Sequence, residues 1–326
     1  MWGGRGSGDD GGTGGRRGRA RFAAMVHPSG EQWQIEHGEW AAVLVQGGGG
    51  LRALRLGDHD VVAGYPSEEM ASAGRGQLLL PWPNRLRDGR YEIDGVQHEL
   101  PITEPETGTA SHGLARWEGW RLRERHDDAV VLAHTLLPRP GYPFHVEVSV
   151  AWVLDERGLT CTTQATNVGG EVAPWGYGAH PYLTLGETRA DDARLTVPAE
   201  QVMEVDERKL PTSLRPVRGT PFDLRDGARL GERSLDHAYT DLTRGEDRCW
   251  EVRLETEVMT SSVWGGPGLD WVQIFTGRAR GEGGVPGIAV EPLSCPADAF
   301  ATGTSLVLLE PDQTWTAQWG IEARRV

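Results

Sequence analysis

From Gln32 onward, apolar residues recur at alternate positions in short runs broken by Gly, Pro, Asp and Asn. That is the period of a half-buried β-strand. In FHVEVSVAWVLD (144–155), Phe144, Val146, Val148, Val150 and Trp152 fall on one face. GLTCTTQATNVG (158–169) alternates again, and the DERG between them predicts a hairpin turn. RYEIDGVQHEL (90–100) carries Asp94-Gly95 at its centre, the signature of a two-residue hairpin. AAVLVQ and LRALRL flank the glycines at 47–50, which predicts a third hairpin. WEVRLET (250–256) and WVQIFTG (271–277) add strands, and SLVLLEPDQTWTAQWGIEA (305–323) predicts a hairpin closing around Pro311-Asp312. Helical periodicity is almost absent; PSEEMASAG (66–74) has room for one helical turn or two. No repeat of fixed period appears, and no linker interrupts the run after residue 30. Many short strands at regular spacing predict one large, twisted antiparallel β-sandwich, all-β, over residues 26–326.

Charge narrows the partners. The 326 residues carry a net charge of −14, which argues against nucleic acid or an anionic membrane surface, since both demand clustered Lys and Arg. The three cysteines, Cys161, Cys249 and Cys295, are widely spaced; reduced thiols in a cytoplasmic protein are the expectation. No apolar run approaches the length of a membrane span. Residues 1–25 are rich in Gly and Arg and lack the apolar stretch of a secretory signal. Such a segment buries too little surface to offset its ordering entropy, so a disordered tail is expected, with Met25 a candidate natural start. Thirteen tryptophans serve either to fill a core or to offer a flat face to a sugar's C–H groups.

Familiar catalytic signatures are missing. The glycines at 47–50 lack the Lys-Ser/Thr of a phosphate-binding loop. There is no Gly-x-Ser-x-Gly elbow and no His-Glu-x-x-His helix. The ten histidines form no pair at helical spacing suited to zinc. Neither a metal nor a cofactor is expected. What remains is a set of polar residues in apolar or glycine-rich surroundings. PWPNRLRDGRY holds Asn84 and Arg85. TASHGLARW holds His112, close to Trp117. SLDHAYTDL holds Asp236, and WVQIFTG holds Gln273 within a strand. In GYGAHPYLTLG, Pro181 drives His180 towards extended backbone angles. In GIAVEPLSCPADAF, Glu291 follows an apolar strand and precedes Pro292. Taken singly, Arg85 reads as a surface ion-pair residue, His112 and Asp236 as turn residues, and Gln273 as a solvent-facing strand position. Glu291 differs, because partial desolvation raises a carboxylate towards the range useful to a general base.

Six of these segments, in order from about residue 30 to the C-terminus, resemble the signatures of the aldose 1-epimerase (galactose mutarotase) family: NR in PWPNRL, HG in SHGLARW, HPYL, LDHAY, VQIFTG and AVEPLSCPADAF. The tail lies outside that pattern. The resemblance implies a large twisted β-sandwich, agreeing with the strand reading. It implies that Glu291 is the catalytic base and His180 the catalytic acid, and that Asn84, Arg85, His112, Tyr182, Asp236 and Gln273 line the sugar site. The implied activity is interconversion of the α and β anomers of a free aldohexose such as galactose or glucose, without cofactor. The implied partner is a small aldose, with no nucleic acid and no membrane, on a monomer or homodimer. Two alternatives stand beside it. One is a hexose-6-phosphate epimerase with Arg87, Arg90 and Arg116 as a basic rim; the other is a carbohydrate-binding protein without catalysis.

Overall fold

The computed structural model describes residues 27–277 and 285–326; the expected tail over residues 1–25 lies outside them. Two large antiparallel sheets dominate. The first has nine strands, in the spatial order Arg121–Arg125, Ala129–Leu136, Val146–Leu154, Gly158–Asn167, Thr314–Arg325, Met259–Gly265, Trp250–Glu255, Arg194–Thr196 and Ala228–Arg229. The second has eight. Its path runs Pro211–Pro216, Ala199–Val205, Asp236–Leu242, Trp271–Phe275, Gly287–Leu293, Gly178–Ala179 and Leu78–Leu79, with Tyr182–Thr184 pairing Gly287–Leu293 off that path. A four-stranded meander over 32–60 packs Trp33, Ile35, Trp40, Leu44 and Leu54 into the same apolar core.

Alternation explains the first sheet. Val146, Val148, Val150, Trp152 and Leu154 are buried while Glu147 and Val153 face out. The DERG turn closes as expected, with the Asp155 amide donating to the Gly158 carbonyl at 3.0 Å. Asp94 (φ 51°) and Gly95 (φ 77°) form the predicted two-residue turn between Arg90–Ile93 and Val96–Glu99. Trp40–Val45 and Leu51–Leu56 likewise pair across the glycines at 47–50. Gly49 is required there: at φ 62°, a Cβ would sit 2.7 Å from the Trp120 ring.

Nine of the thirteen tryptophans are buried, Trp120, Trp152, Trp175, Trp250 and Trp319 of them fully, so most of this unusual complement is core. Their indole N–H groups find acceptors where the core offers them, Trp152 at the Gly49 carbonyl and Trp319 at the Tyr177 hydroxyl.

Two expectations fail. The turn at Glu310–Gln313 forms, but its flanks do not pair with each other. Val307–Leu309 joins Ala173–Trp175, while Thr314–Arg325 has both edges taken by Gly158–Asn167 and Met259–Gly265. Asn167 holds the split open by donating to the Leu309 carbonyl at 2.8 Å. The second correction concerns residues 66–74, which make turns and no helix. Among the described residues the one helix is Ala299–Thr302. The three cysteines are unbonded, and among the described residues no helix is long and apolar enough to cross a membrane.

Candidate active site

The eight-stranded sheet is built unlike its partner. Gly287–Leu293 is buried at all seven positions, against the core on one face and beneath a cleft on the other. Its neighbours place three polar side chains in one row. Gln273 pairs with Glu291 on one side. On the other, Gly178 opposes Leu293 and Tyr182 opposes Ala289. One register therefore runs through the break at Pro181, which puts His180 opposite Glu291. Proline supplies no N–H, so the ladder is cut at that point, and the His180 backbone bonds elsewhere. Its amide donates to the Gln77 carbonyl at 3.0 Å, and its carbonyl accepts from the Gly76 amide at 2.9 Å. A second row holds Tyr182, Ala289 and Phe275, with Asp236 beyond. The small Ala289 at its centre leaves room above the sheet.

These rows floor a cleft of about 260 Å³ that all eight sequence-derived candidates line: Asn84, Arg85, His112, His180, Tyr182, Asp236, Gln273 and Glu291. That is a size for one small polar molecule. A larger cleft of about 680 Å³ beside Trp250 and Trp264 brings together no buried acid and base. His180 Nε2 lies 3.3 Å from Glu291 Oε1, with both side chains almost fully enclosed. Burial pushes the Glu291 carboxyl well above its ordinary range, the Asp236 charge adds to that, and Arg85 opposes it. Glu291 Oε2 has no hydrogen-bond partner among the described residues. An enclosed carboxyl group with a raised pKa, against an imidazole, can trade one proton with it.

The surrounding groups are held in fixed orientations. The His180 ring stacks on Tyr182 (5.1 Å, 13°) and meets His112 edge-on (5.6 Å, 67°). His112 Nδ1 accepts from the Asn84 amide at 3.2 Å. Burial first, and the charges of His180, Arg116 and Arg85 after it, hold His112 well below its ordinary pKa. A neutral ring whose Nδ1 accepts carries its proton on Nε2, so His112 offers the cleft a donor. Asn84 (φ 54°) and His112 (φ 61°) both adopt left-handed backbone, a strain concentrated at this site. Gln273 Nε2 donates to Asp236 Oδ1 at 2.8 Å, and Lys209 Nζ stands 3.8 Å from Asp236 Oδ2.

Sequence reasoning missed three participants. Glu104 takes a two-pronged bond from Arg85, at 2.8 Å from Nε and 2.7 Å from Nη2. Gly74 lies close against His180: at φ 76°, a Cβ there would meet His180 Cδ2 at 2.7 Å. Asp298, 1% exposed, receives Arg87 through its amide and its guanidinium. Nothing in PITEPETG or ASAGRG distinguishes Glu104 or Gly74 from ordinary turn residues; only the PADAF motif brushed Asp298. The proposed basic rim needs correcting. Arg87 is spent on Asp298 and Arg90 pairs with Glu99 on an exposed hairpin, so neither lines the cleft; Arg116 alone of the three does. Among the described residues no cluster of His, Cys, Asp and Glu is arranged to hold a metal ion.

Residues 31–322 match the sequence profile of a family described as aldose 1-epimerase. The chain is 34% identical over 286 residues to the uncharacterized protein YihR of Escherichia coli, covering 87% of this chain and 91% of that one. It is 26% identical over 234 residues to the galactose mutarotase of Homo sapiens, covering 67% and 68%. Among solved structures, an aldose epimerase homologue from C. elegans superposes with a TM-score of 0.79 at 19% identity, covering 91% of this chain and 99% of that one. The galactose 1-epimerase of Lactobacillus acidophilus superposes with a TM-score of 0.75 at 20% identity, covering 90% and 94%.

Proposed function

The chain belongs to the aldose 1-epimerase family, a family of isomerases, and from that membership we propose that it interconverts the α and β anomers of an aldohexose. The observation that carries this reading is the enclosed His180–Glu291 pair at 3.3 Å, at the floor of a cleft sized for one pyranose.

Anomer exchange needs a proton removed from the C1 hydroxyl and another delivered to the ring oxygen. The working form of the pair is Glu291 carboxylate with His180 imidazolium. Glu291 takes the C1 hydroxyl proton while His180 protonates the ring oxygen; the C1–O5 bond breaks and C1 becomes an aldehyde. Both protein groups are now neutral. Rotation about C1–C2 presents the other carbonyl face. His180 then accepts the proton of the attacking C5 hydroxyl, and Glu291 returns its own to O1. The protons balance over the cycle, and the raised Glu291 pKa brings acid and base close enough in strength to exchange roles. The His112 Nε2 donor and the Arg85 N–H groups left over from Glu104 steady the charge developing around the ring oxygen. Asp236 and Gln273 bind the remaining hydroxyls. The protein acts in the cytoplasm, without cofactor, as a monomer or homodimer.

Exchange NMR between the anomers of glucose and galactose tests the reading. Glu291→Gln keeps the size of the side chain and removes its proton chemistry, so kcat should fall by about 10²- to 10⁴-fold with KM little changed. Unaltered anomer exchange in that variant would overturn the assignment and favour a sugar-binding protein.

A further inference from the structure

The 33 Lys and Arg residues of the chain include a single lysine, Lys209. It sits in the turn between Ala199–Val205 and Pro211–Pro216, which pair antiparallel. Val202 opposes Tyr239 in the next strand, so the same register carries Val205 to Asp236 and brings the turn alongside the cleft. The turn is fixed by its own bonds. Asp206 Oδ1 accepts from the Arg208 and Leu210 amides at 2.8 and 2.9 Å, and the Lys209 amide donates to the Asp206 carbonyl at 3.0 Å. Leu210 is fully buried, and Lys209 takes left-handed backbone at φ 63°.

Two neighbouring cations leave this turn for different parts of the site. Arg208 reaches the loop that carries Glu104: its guanidinium donates to the Thr107 and Gly108 carbonyls at 2.8 and 3.0 Å, and to Asp88 at 2.7 Å. Lys209 Nζ stands 3.8 Å from Asp236 Oδ2, the one cation within ion-pair distance of that carboxylate among the described residues. The separation is too long for a hydrogen bond. Lysine acts here as a point charge, whereas an arginine fork would take both carboxylate oxygens. Gln273 occupies Oδ1 at 2.8 Å, so Oδ2 is balanced in charge yet keeps lone pairs for a hydroxyl in the cleft. Lys209 itself stands outside the lining.

Asp236 also acts on Glu291, since its charge adds to the rise in the Glu291 pKa that Arg85 opposes. The other ionisable groups around Asp236 are His237, its neighbour in the strand, and Glu204, which is paired with Arg215. Burial holds His237 below its ordinary pKa, against the pull of Asp236. His180 faces Glu291, and His112 meets His180 edge-on. We propose that Lys209 is a positioning residue of this site: from outside the lining it balances the charge of Asp236 and leaves Oδ2 open to a sugar hydroxyl. This rests on the epimerase reading and adds to it a residue that touches no substrate. Without Lys209 the charge of Asp236 falls on Glu291 undiminished, and like charges in one site keep the base protonated to higher pH.

The test follows anomer exchange of glucose and galactose over about pH 5–9 for the wild type, Lys209→Met and Lys209→Arg, with each variant's thermal melt as the folding control. The acid limb of kcat/KM, set by Glu291 as one half of its pair with His180, should move up by about half a pH unit or more in Lys209→Met. It should stay in place in Lys209→Arg, which keeps the charge. With no second lysine in the chain, acetylation by an amine-selective N-hydroxysuccinimide ester reaches Lys209 and the α-amino group alone. It should displace the wild-type limb as Lys209→Met does and leave Lys209→Arg unmoved. A carbon NMR titration of the Glu291 carboxyl reads the same displacement without turnover. A limb and a titration that stay in place in Lys209→Met, or that move equally in Lys209→Arg, overturn the inference while leaving the epimerase reading intact. No anomer exchange by the wild type, with the carboxyl titration still displaced in Lys209→Met alone, overturns the epimerase reading and leaves the role of Lys209 standing.

Discussion

The two large sheets solve different problems with the same backbone. The nine-stranded sheet has long, unbroken central strands, from seven residues in Met259–Gly265 to twelve in Thr314–Arg325, and Val146–Leu154 within it alternates buried and exposed positions. The site sheet is short and interrupted: Gly178–Ala179 and Tyr182–Thr184 are two fragments of one line, cut at Pro181. Its central strand, Gly287–Leu293, buries a carboxyl group that the regular sheet nowhere accommodates in its core. Regularity stabilises; the break makes room for a histidine and an acid in one row. If the His180–Glu291 pair carries the proposed chemistry, stability and chemistry are divided between the sheets, and substitutions in each should have separable consequences.

The largest effect is expected in the regular sheet. Trp152→Ala removes a fully buried ring and should cost about 3–5 kcal/mol of stability, read by urea denaturation, with kcat per folded molecule preserved. Val153→Ala, one residue along on the outer face, should change stability by no more than about 0.5 kcal/mol. Equal losses at the two positions would erase the contrast between faces. Beside the site sheet, in the turn that precedes Leu78–Leu79, Gly74→Ala should do the opposite. Its new methyl would press on His180 Cδ2 at 2.7 Å, so kcat should fall by about ten- to a hundredfold. Gly38→Ala is the control: φ is 58° there too, but nothing lies within 4 Å, so it should lower stability through backbone strain alone. Similar kcat losses in both would show that strain, not ring displacement, is responsible.

The smallest effect sharpens the comparison most. Burial raises the Glu291 pKa in the folded protein, so above the ordinary glutamate range of about 4.3 the folded state holds more protons than the unfolded one. Stability contributed by the protonated acid therefore drains away as pH rises through the folded pKa. Glu291→Gln does not titrate. It should gain on the wild type by roughly 1 kcal/mol at about pH 8 and by less at about pH 5, measured as the difference in Tm. A gap independent of pH would mean that Glu291 folds without a desolvation cost.

How much of this was legible follows the same division. The strands of 144–167 announce themselves because one face is buried and the other wet, so alternation survives into the sequence. Asp94-Gly95 is readable for a local reason, two residues that tolerate positive φ. The Pro311-Asp312 hairpin misled because a turn signal is local whereas pairing is decided by which edges are free, and both edges of Thr314–Arg325 were taken. All eight candidates converge on one cleft, yet motif resemblance brought them forward, not periodicity. Gly287–Leu293 is buried throughout and has no alternation to read. Glu104 and Gly74 could not have been found, since their roles depend on contacts with Arg85, 19 residues away, and with His180.

The place of Thr314–Arg325 has a consequence for how the molecule comes into being. It follows every other strand of its sheet in the chain, yet stands at the middle, joining Gly158–Asn167 to Met259–Gly265. During synthesis the ribosome therefore releases two half-sheets with unpaired facing edges, and the segment that zips them together emerges after both. Such edges are templates for pairing with other chains, and closure that depends on long-range contacts is slow. Nascent chains halted before residue 314 should accordingly be the species that chaperones hold and proteases find, while release of the closing strand converts them in one cooperative step.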